Sequence, residues 1–316
     1  MCVAGRDELP ANGLSLARRG FAAALGLTLI ALPLVAKAVH VLPRFEAILL
    51  GTGYPRPDPE HAGPALAIVA GQRWFVVDAG RGATVRIAAT DLKYESLGAV
   101  FLTHLHSDHT AGLPDLFNTS WQFGRKTRPF ELYGPLGVER LSRAMLDFFA
   151  EDIHIRRDLM EKHPAAGARI NTHIVHEGVV FDDGTVRVTA FAVDHRPVVP
   201  SFGYRFDCGG RSIVVSGDTR PTPNLIRFAR GADVLIHEAY LPEHFAKVDT
   251  PEVAARLMGY HTSAEEAGVA ARDAGVKQLV LTHLIPAGAD GVFRERAGRA
   301  FKGTIVVGRD LLHITP

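Results

Sequence analysis

The sequence predicts a layered α/β sandwich, and three observations predict it. Short β-branched and aromatic runs bounded by Gly, Pro and Asp recur along both halves of the chain, which is how strands and their turns read. Stretches with apolar residues three and four apart fall between and after those runs, which is the period of helices packing one face on a core. No Ser/Pro-rich linker divides the halves, so residues 39–316 read as one domain of sheets covered by outer helices. With 316 residues, 47% of them hydrophobic and 22% charged, there is chain enough to bury such a core.

In order, strands are expected at 45–50, 66–70, 74–77 and 100–102. Leu141, Met145, Phe148 and Phe149 then mark a helical insert over 139–159, placed between the two halves and expected to form the pocket of a site together with the segment 241–260. Further strands are expected at 186–191, 202–206, 212–216, 234–237, 278–282 and 304–307, with helices at Pro223–Ala229 and Ala264–Ala274. Cys208 precedes Gly209 and Gly210 and reads as a hairpin residue.

The first 38 residues read as an export signal rather than as fold. An uncharged Ala/Leu-rich run at 21–36 follows Arg18 and Arg19 and precedes Ala36-Lys37-Ala38, a small-x-small cleavage pattern. A bilayer span takes roughly 20 apolar residues, so the run is short for an anchor, although extension to Leu42 would make a retained one. The Arg18-Arg19-Gly20-Phe21 segment partly matches a twin-arginine signal. A periplasmic or secreted protein is the expectation, touching the membrane only through this segment. A buried N-terminal helix is the alternative.

Lys and Arg number 35 against 34 Asp and Glu, a net charge of +1. Removal of 1–38 takes Arg6, Arg18, Arg19 and Lys37 against Asp7 and Glu8, leaving 31 basic and 32 acidic residues. No basic surplus of the kind nucleic-acid binders carry is present, which argues against a nucleic-acid partner. Two cysteines exclude a disulfide framework and a thiolate zinc cluster. Fifteen histidines stand out.

Four potential ligands, His104, His106, Asp108 and His109, lie within six positions after an apolar strand. On extended backbone His104 and His106 share one side, while Asp108 and His109 lie past the turn and can face a second point. Desolvating these groups together without a cation would be costly, so two adjacent metal sites are expected.

This His-x-His-x-Asp-His run resembles the signature of the metallo-β-lactamase superfamily. Leu49-Leu50-Gly51-Thr52-Gly53 and Phe75-Val76-Val77-Asp78-Ala79-Gly80 are similar to the opening motifs of the branch that includes ribonuclease Z and the zinc-dependent arylsulfatases. Val193-Asp194-His195 with Phe202-Gly203-Tyr204, Ser216-Gly217-Asp218-Thr219, His237-Glu238-Ala239, His261-Thr262-Ser263 and Leu281-Thr282-His283 match later motifs in order. The resemblance implies a four-layer αββα sandwich. It implies a first metal on His104, His106 and His195, a second on Asp108, His109 and His283, and Asp218 bridging both. Two zinc ions are the cofactors implied, with manganese or iron as substitutes. The resemblance also places Asp78 as an orienter of the ligand loop, with a turn cap as the alternative. His261, oriented by Glu238, would contact the scissile group; a helix-cap role is its alternative. Asp108 is counted with these two among the catalytic residues. His61 reads as a surface-loop residue with substrate contact as the alternative. His237 reads as structural, and His154, His163, His173, His176, His244 and His313 have no ligand spacing.

Ribonuclease Z carries a long basic arm between the motifs matched by His195 and Asp218, where this chain has 22 residues. The absent arm, the neutral charge and the export segment favour an arylsulfatase-type hydrolase of a small sulfate or phosphate ester, with nucleic acid set aside as a partner. A ribonuclease Z-like phosphodiesterase is the alternative, and a non-catalytic metal-binding protein the rival from another class. A homodimer is compatible with the sequence.

Overall fold

A computed structural model describes residues 42–248 and 250–316. The predicted export segment lies outside the described residues. Among the described residues no helix is long and apolar enough to cross a membrane.

The first half folds as β1 (Phe45–Gly51), β2 (Ala65–Ala70), β3 (Arg73–Ala79), α1 (Ala83–Ala88), β4 (Leu97–Phe101), α2 (Ser107–Thr110), α3 (Leu113–Phe123), β5 (Phe130–Gly134), α4 (Val138–Phe148), α5 (Ala150–His154) and β6 (Ile170–Ile174). The second half follows as β7 (Gly178–Asp182), β8 (Val186–His195), β9 (Val198–Cys208), β10 (Arg211–Val215), α6 (Pro223–Ala229) and β11 (Val234–Tyr240). It closes with α7 (Pro242–Val248), α8 (Pro251–Met258), α9 (Ala264–Ala274), β12 (Gln278–Ile285), α10 (Asp290–Ala300), β13 (Thr304–Val307) and β14 (His313–Ile314).

Two seven-stranded sheets result, ordered β14-β1-β2-β3-β4-β5-β6 and β13-β12-β11-β10-β9-β8-β7. Their inner faces pack on each other through Phe75 and Phe101 of the first and Tyr204 and Phe206 of the second. Phe101 and Phe206 meet edge-on with centroids 5.8 Å apart. The outer face of the first sheet buries Val76 and Val100 against Ile87, Phe117, Trp121 and Met145 of its helices. The outer face of the second buries Val214, Leu235 and Leu279 against Leu225, Ala267, Ala271 and Phe293. That is the αββα order expected, and burial on both faces explains why β2, β3 and β11 read as continuous apolar runs.

Strand direction is what positions the site. In the first sheet β3, β4, β5 and β6 are mutually parallel, and β1 reaches the same direction through two antiparallel pairings. In the second, β10, β11, β12 and β13 are parallel, and β8 shares their direction through the antiparallel β9. The carboxyl ends of β1, β3 and β4 in one sheet, and of β8, β10, β11 and β12 in the other, therefore each gather at one edge, the usual place for ligands in such sheets.

Pro223–Ala229 and Ala264–Ala274 are helices over the spans the sequence predicts. The Thr222 side chain accepts from Asn224 N–H ahead of Pro223, and Ser263 and Glu266 form a reciprocal capping box. Cys208 is buried at the end of β9, opposite Arg211 across the Gly209-Gly210 turn. One expectation is corrected: the 139–159 helical insert does not separate the halves. It lies between β5 and β6 and is followed by a further strand of the first sheet, because β6 is short and only partly buried and carries little apolar signal. The α3 helix was not foreseen; Gly112 and Pro114 stand at its start.

Candidate functional site

The ligand turn is built by three hydrogen bonds to one carboxylate. Asp78, at the end of β3 with φ 57°, accepts from Thr103 N–H and Thr103 Oγ1–H, both at 2.8 Å, and from His109 Nδ1–H at 2.8 Å. A non-glycine residue in left-handed backbone is strained, and here the strain accompanies a carboxylate that clamps both flanks of the turn. Gly80 allows the close approach: a Cβ there would lie 2.4 Å from the Asp108 carbonyl oxygen. The Tyr204 hydroxyl, donating to Leu102 O at 2.8 Å, ties the turn to the second sheet.

Those bonds also set the histidine tautomers. Thr103 Oγ1 spends its proton on Asp78, so it accepts from His104 Nδ1 at 3.0 Å and leaves His104 Nε2 as the lone-pair nitrogen. His109 Nδ1 faces Asp78, leaving Nε2 buried with no hydrogen-bond partner. His195 Nδ1 donates to Tyr260 O at 2.9 Å, again freeing Nε2. His104 Nε2 and His195 Nε2 then lie 2.9 and 3.3 Å from His106 Nδ1. Such converging nitrogens repel one another unless a cation lies among them.

Asp218 stands between two groups of donors. It follows β10 and Gly217, whose φ of 62° and whose contact with Phe202 O leave no room for a side chain. Its Oδ2 is 3.9 Å from both His104 Nε2 and His195 Nε2, 3.3 Å from His109 Nε2 and 3.4 Å from His283 Nε2. Asp108 Oδ2 is 3.3 Å from His283 Nε2 and 3.5 Å from His109 Nε2. Three overlapping sets of donor atoms, His104/His106/His195/Asp218, Asp108/His109/His283 and Asp218/His261/His283, each lie within 4.8 Å of one another. Fit to a pair of borderline divalent cations rests on this donor chemistry and on the orphaned His109 Nε2.

Burial and neighbouring charge pull the histidines apart. Burial, helped by the charge of His109, holds His104 well below its ordinary pKa, and burial takes His195 down to about 4. At His283 burial opposes charge, but the Asp218 and Asp108 carboxylates together outweigh it, raising the pKa to about 9. At Asp218 burial is likewise overcome, by His283 and His109, and its carboxyl sits well below the usual range.

The last pair lies beyond the ligands. His261 Nδ1 donates to Glu238 Oε2 at 2.7 Å, and Glu238 Oε1 accepts from Thr219 N–H at 2.7 Å. The Glu238 carboxylate is buried and fully occupied, so His261 presents Nε2 beside Asp218 and His283. His261 precedes the Ser263 cap of α9; the capping is done by Ser263.

A cavity of about 420 Å³ opens over these groups, lined by His106, Asp108, His261 and His283 and by Tyr54, Arg56, Phe245 and Tyr260. Its walls are the β1–β2 loop and the α7–α8 region. No residue of the 139–159 insert lines it, which corrects the expectation that the insert walls the site; α4 packs its buried face on the outer side of the first sheet instead. His61 Nδ1 lies 3.1 Å from Thr52 Oγ1 and borders a separate cavity with Arg81 and Arg86. His237 is buried, its Nδ1 donating to Glu238 O at 2.8 Å. His173 pairs with Glu131, His313 with Glu46 and His154 with Asp158, away from the site. The 241–260 segment expected to help form the pocket does so through Phe245 and Tyr260, whereas the sequence reading gave no role to Arg56 and none as a cavity wall to Tyr54, whose only signal is aromatic or basic character next to motifs already recognised.

A model of the beta-lactamase superfamily domain matches residues 73–284. The chain belongs to that superfamily and is a metal-dependent hydrolase acting on ester bonds. Several of its sequence relatives carry the name ribonuclease Z. That of Mycobacterium bovis (strain BCG / Pasteur 1173P2) is 39% identical over 275 residues, spanning 84% of this chain and 96% of the relative. That of Mycobacterium marinum is 40% identical over 275 residues with the same coverage. Among solved structures, human tRNase Z, short form, superposes with a TM-score of 0.63 at 26% identity, covering 85% of this chain and 98% of its own. The metallo-beta-lactamase fold protein YhfI from Bacillus subtilis gives 0.67 at 20% identity over 86% of this chain and all of its own, a likeness of fold alone.

These relatives overturn the expectation of a small anionic ester as substrate with nucleic acid set aside. They favour the ribonuclease Z-like alternative over the arylsulfatase-type reading. Net charge misled because it sums the whole surface, whereas the grip on one phosphodiester is local. The 196–217 segment is indeed only the β9–β10 hairpin and its flanks.

Proposed function

We propose that this protein is a dinuclear zinc phosphodiesterase of the ribonuclease Z type that cleaves RNA. The observation that carries the reading is the 39–40% identity to ribonucleases Z along nearly their whole length. His104, His106 and His195 would hold one cation, Asp108, His109 and His283 the other, and Asp218 both. Bound there, the two cations supply Lewis acidity towards a phosphoryl oxygen and lower the pKa of water to make a nucleophile near neutral pH. The protein's own part is orientation: Asp78 and Thr103 fix the ligand turn, and the Tyr260 carbonyl fixes the ring of His195. Glu238 occupies His261 Nδ1, so Nε2 is the atom that holds and passes a proton to the departing oxygen. The test is cleavage of a 3′-extended precursor tRNA by the zinc-loaded protein, with aryl sulfate alongside. Endonucleolytic product that is lost in His106→Ala is the expected result; sulfate turnover without RNA cleavage sinks the reading.

A further inference from the structure

The loop between β1 and β2 is pinned from the far end of the chain. Asp310, just ahead of β14, has a side chain only 7% exposed. Its Oδ1 accepts from Thr52 N–H at 3.0 Å and Thr52 Oγ1–H at 2.9 Å; its Oδ2 accepts from Ala62 N–H and Arg86 Nε–H, both at 2.8 Å. Thr52 O in turn accepts from Leu284 N–H at 2.9 Å, one residue past His283. Both ends of the loop are thus tied to each other and to the strand that carries a ligand. None of these bonds serves the metal-ligand groups directly.

What the clamp holds is Tyr54-Pro55-Arg56, at the rim of the 420 Å³ cavity. Tyr54 is half-buried, its ring edge-on to His244 with centroids 6.2 Å apart, and it packs on the small apolar cluster of Tyr240, Phe245, Ala254 and Ile285. Tyr260 lines the same cavity, half-buried. Arg56 is the one Lys or Arg lining it among the described residues; it is exposed and enters no ion pair or side-chain hydrogen bond there. The cavity volume falls within the roughly 300–1,000 Å³ of small-molecule sites and exceeds what one phosphate group fills. Beside the histidines the cavity offers the rings of Tyr54 and Tyr260, the latter with its centroid 4.7 Å from that of His261, and a single guanidinium outside any ion pair. A nucleotide presents the complements, a base with a π-face and a phosphate that a guanidinium binds in a fork.

We propose that Tyr54 and Arg56 form a subsite for the nucleotide adjoining the scissile phosphate, with Tyr54 and Tyr260 against its base and Arg56 on its outer phosphate, and that Asp310 is the positioning residue for this rim. The proposal rests on the RNA-cleaving reading above.

The experiment is steady-state cleavage of precursor tRNA and of bis(4-nitrophenyl) phosphate by the zinc-loaded full-length protein across a KCl series. It compares wild type with Arg56→Ala, Arg56→Lys, Tyr54→Ala and Asp310→Asn, with zinc content measured on each. Arg56→Ala is expected to raise KM for RNA about tenfold and to flatten log(1/KM) against log salt by about 0.7, the contribution of one phosphate contact on a single strand, and Arg56→Lys to restore the slope. Tyr54→Ala is expected to lower the ratio of kcat/KM on RNA to that on the small diester about tenfold. Asp310→Asn should raise KM for RNA with zinc content at the wild-type level; Thr52→Val, which removes one of the four bonds, tests the same point if that variant does not fold. Wild-type cleavage of RNA with KM, salt slope and substrate ratio unmoved in Arg56→Ala and Tyr54→Ala overturns the subsite, and an unmoved KM in Asp310→Asn and Thr52→Val overturns the clamp. Absence of RNA cleavage by wild type instead overturns the functional reading.

Discussion

The first sheet sends His104, His106, Asp108 and His109 into the site from one short turn after β4, whereas the second sends His195, Asp218 and His283 from three separate strand ends. The first group is held by local bonds, with Asp78 clamping Thr103 and His109. The second has no shared turn: His195 is oriented by Tyr260 O from the α8–α9 connection, and Asp218 by a glycine in left-handed backbone. A local device tolerates changes elsewhere in the sheet. An assembled one depends on strand register, because slipping a strand by one residue turns its side chains to the other face.

The sharpest way to break this comparison is Asp218→Ala, since its carboxylate lies within 4 Å of four imidazoles, His104 and His109 from the first sheet and His195 and His283 from the second. Loss of bound metal and of activity beyond the about 10–100-fold of an orienting partner is expected, read by zinc content and turnover together. An Asp218→Ala protein that retains both its zinc and its rate would refute the bridging assignment. Next comes His261→Ala, expected on the proposed proton-transfer role to lower kcat about 10²–10⁴-fold with metal content intact, because Glu238 holds its Nδ1 and both proposed cations keep their other donors. Zinc loss in that variant would move His261 into the ligand set. Asp78→Asn should weaken zinc affinity about 10–100-fold by loosening the turn, while leaving the ring of His195 oriented as before; competition with a chelator measures it. Smallest is Phe148→Ser on the helical insert. This side chain is 77% exposed and does not line the cavity, so stability should shift by less than about 0.5 kcal/mol and kcat/KM not at all. A large loss of activity there would show that the insert does wall the site.

The same contrast governs what could be read from the chain. The 104–109 turn was legible because its ligands are adjacent in sequence, and Pro223–Ala229 and Ala264–Ala274 were legible because each has its cap and period within itself. Strand β6 was not, since it is short and half-exposed and its pairing with β5 is decided by neighbours. In the second sheet, His195, Asp218 and His283 were singled out as candidate ligands through motifs resembling a known family; spacing alone carries no information about strand ends that meet only after folding. The substrate was misjudged for a related reason. Composition reports total charge, while Tyr54, Arg56 and Tyr260 come to the cavity from loops more than two hundred residues apart in the case of Tyr54 and Tyr260.

By itself the sequence determined the layered α/β class and the 104–109 turn with its donor types, because periodicity, turn chemistry and adjacent histidines are local properties of the chain, while the αββα order was implied by the family resemblance. Tertiary structure alone decided which walls enclose the reacting groups, that Asp310 ties the first loop to the last strand, and that the helical insert packs behind the first sheet. These follow from strand order and direction, which bring distant carboxyl ends to a common edge, and no local pattern encodes that order.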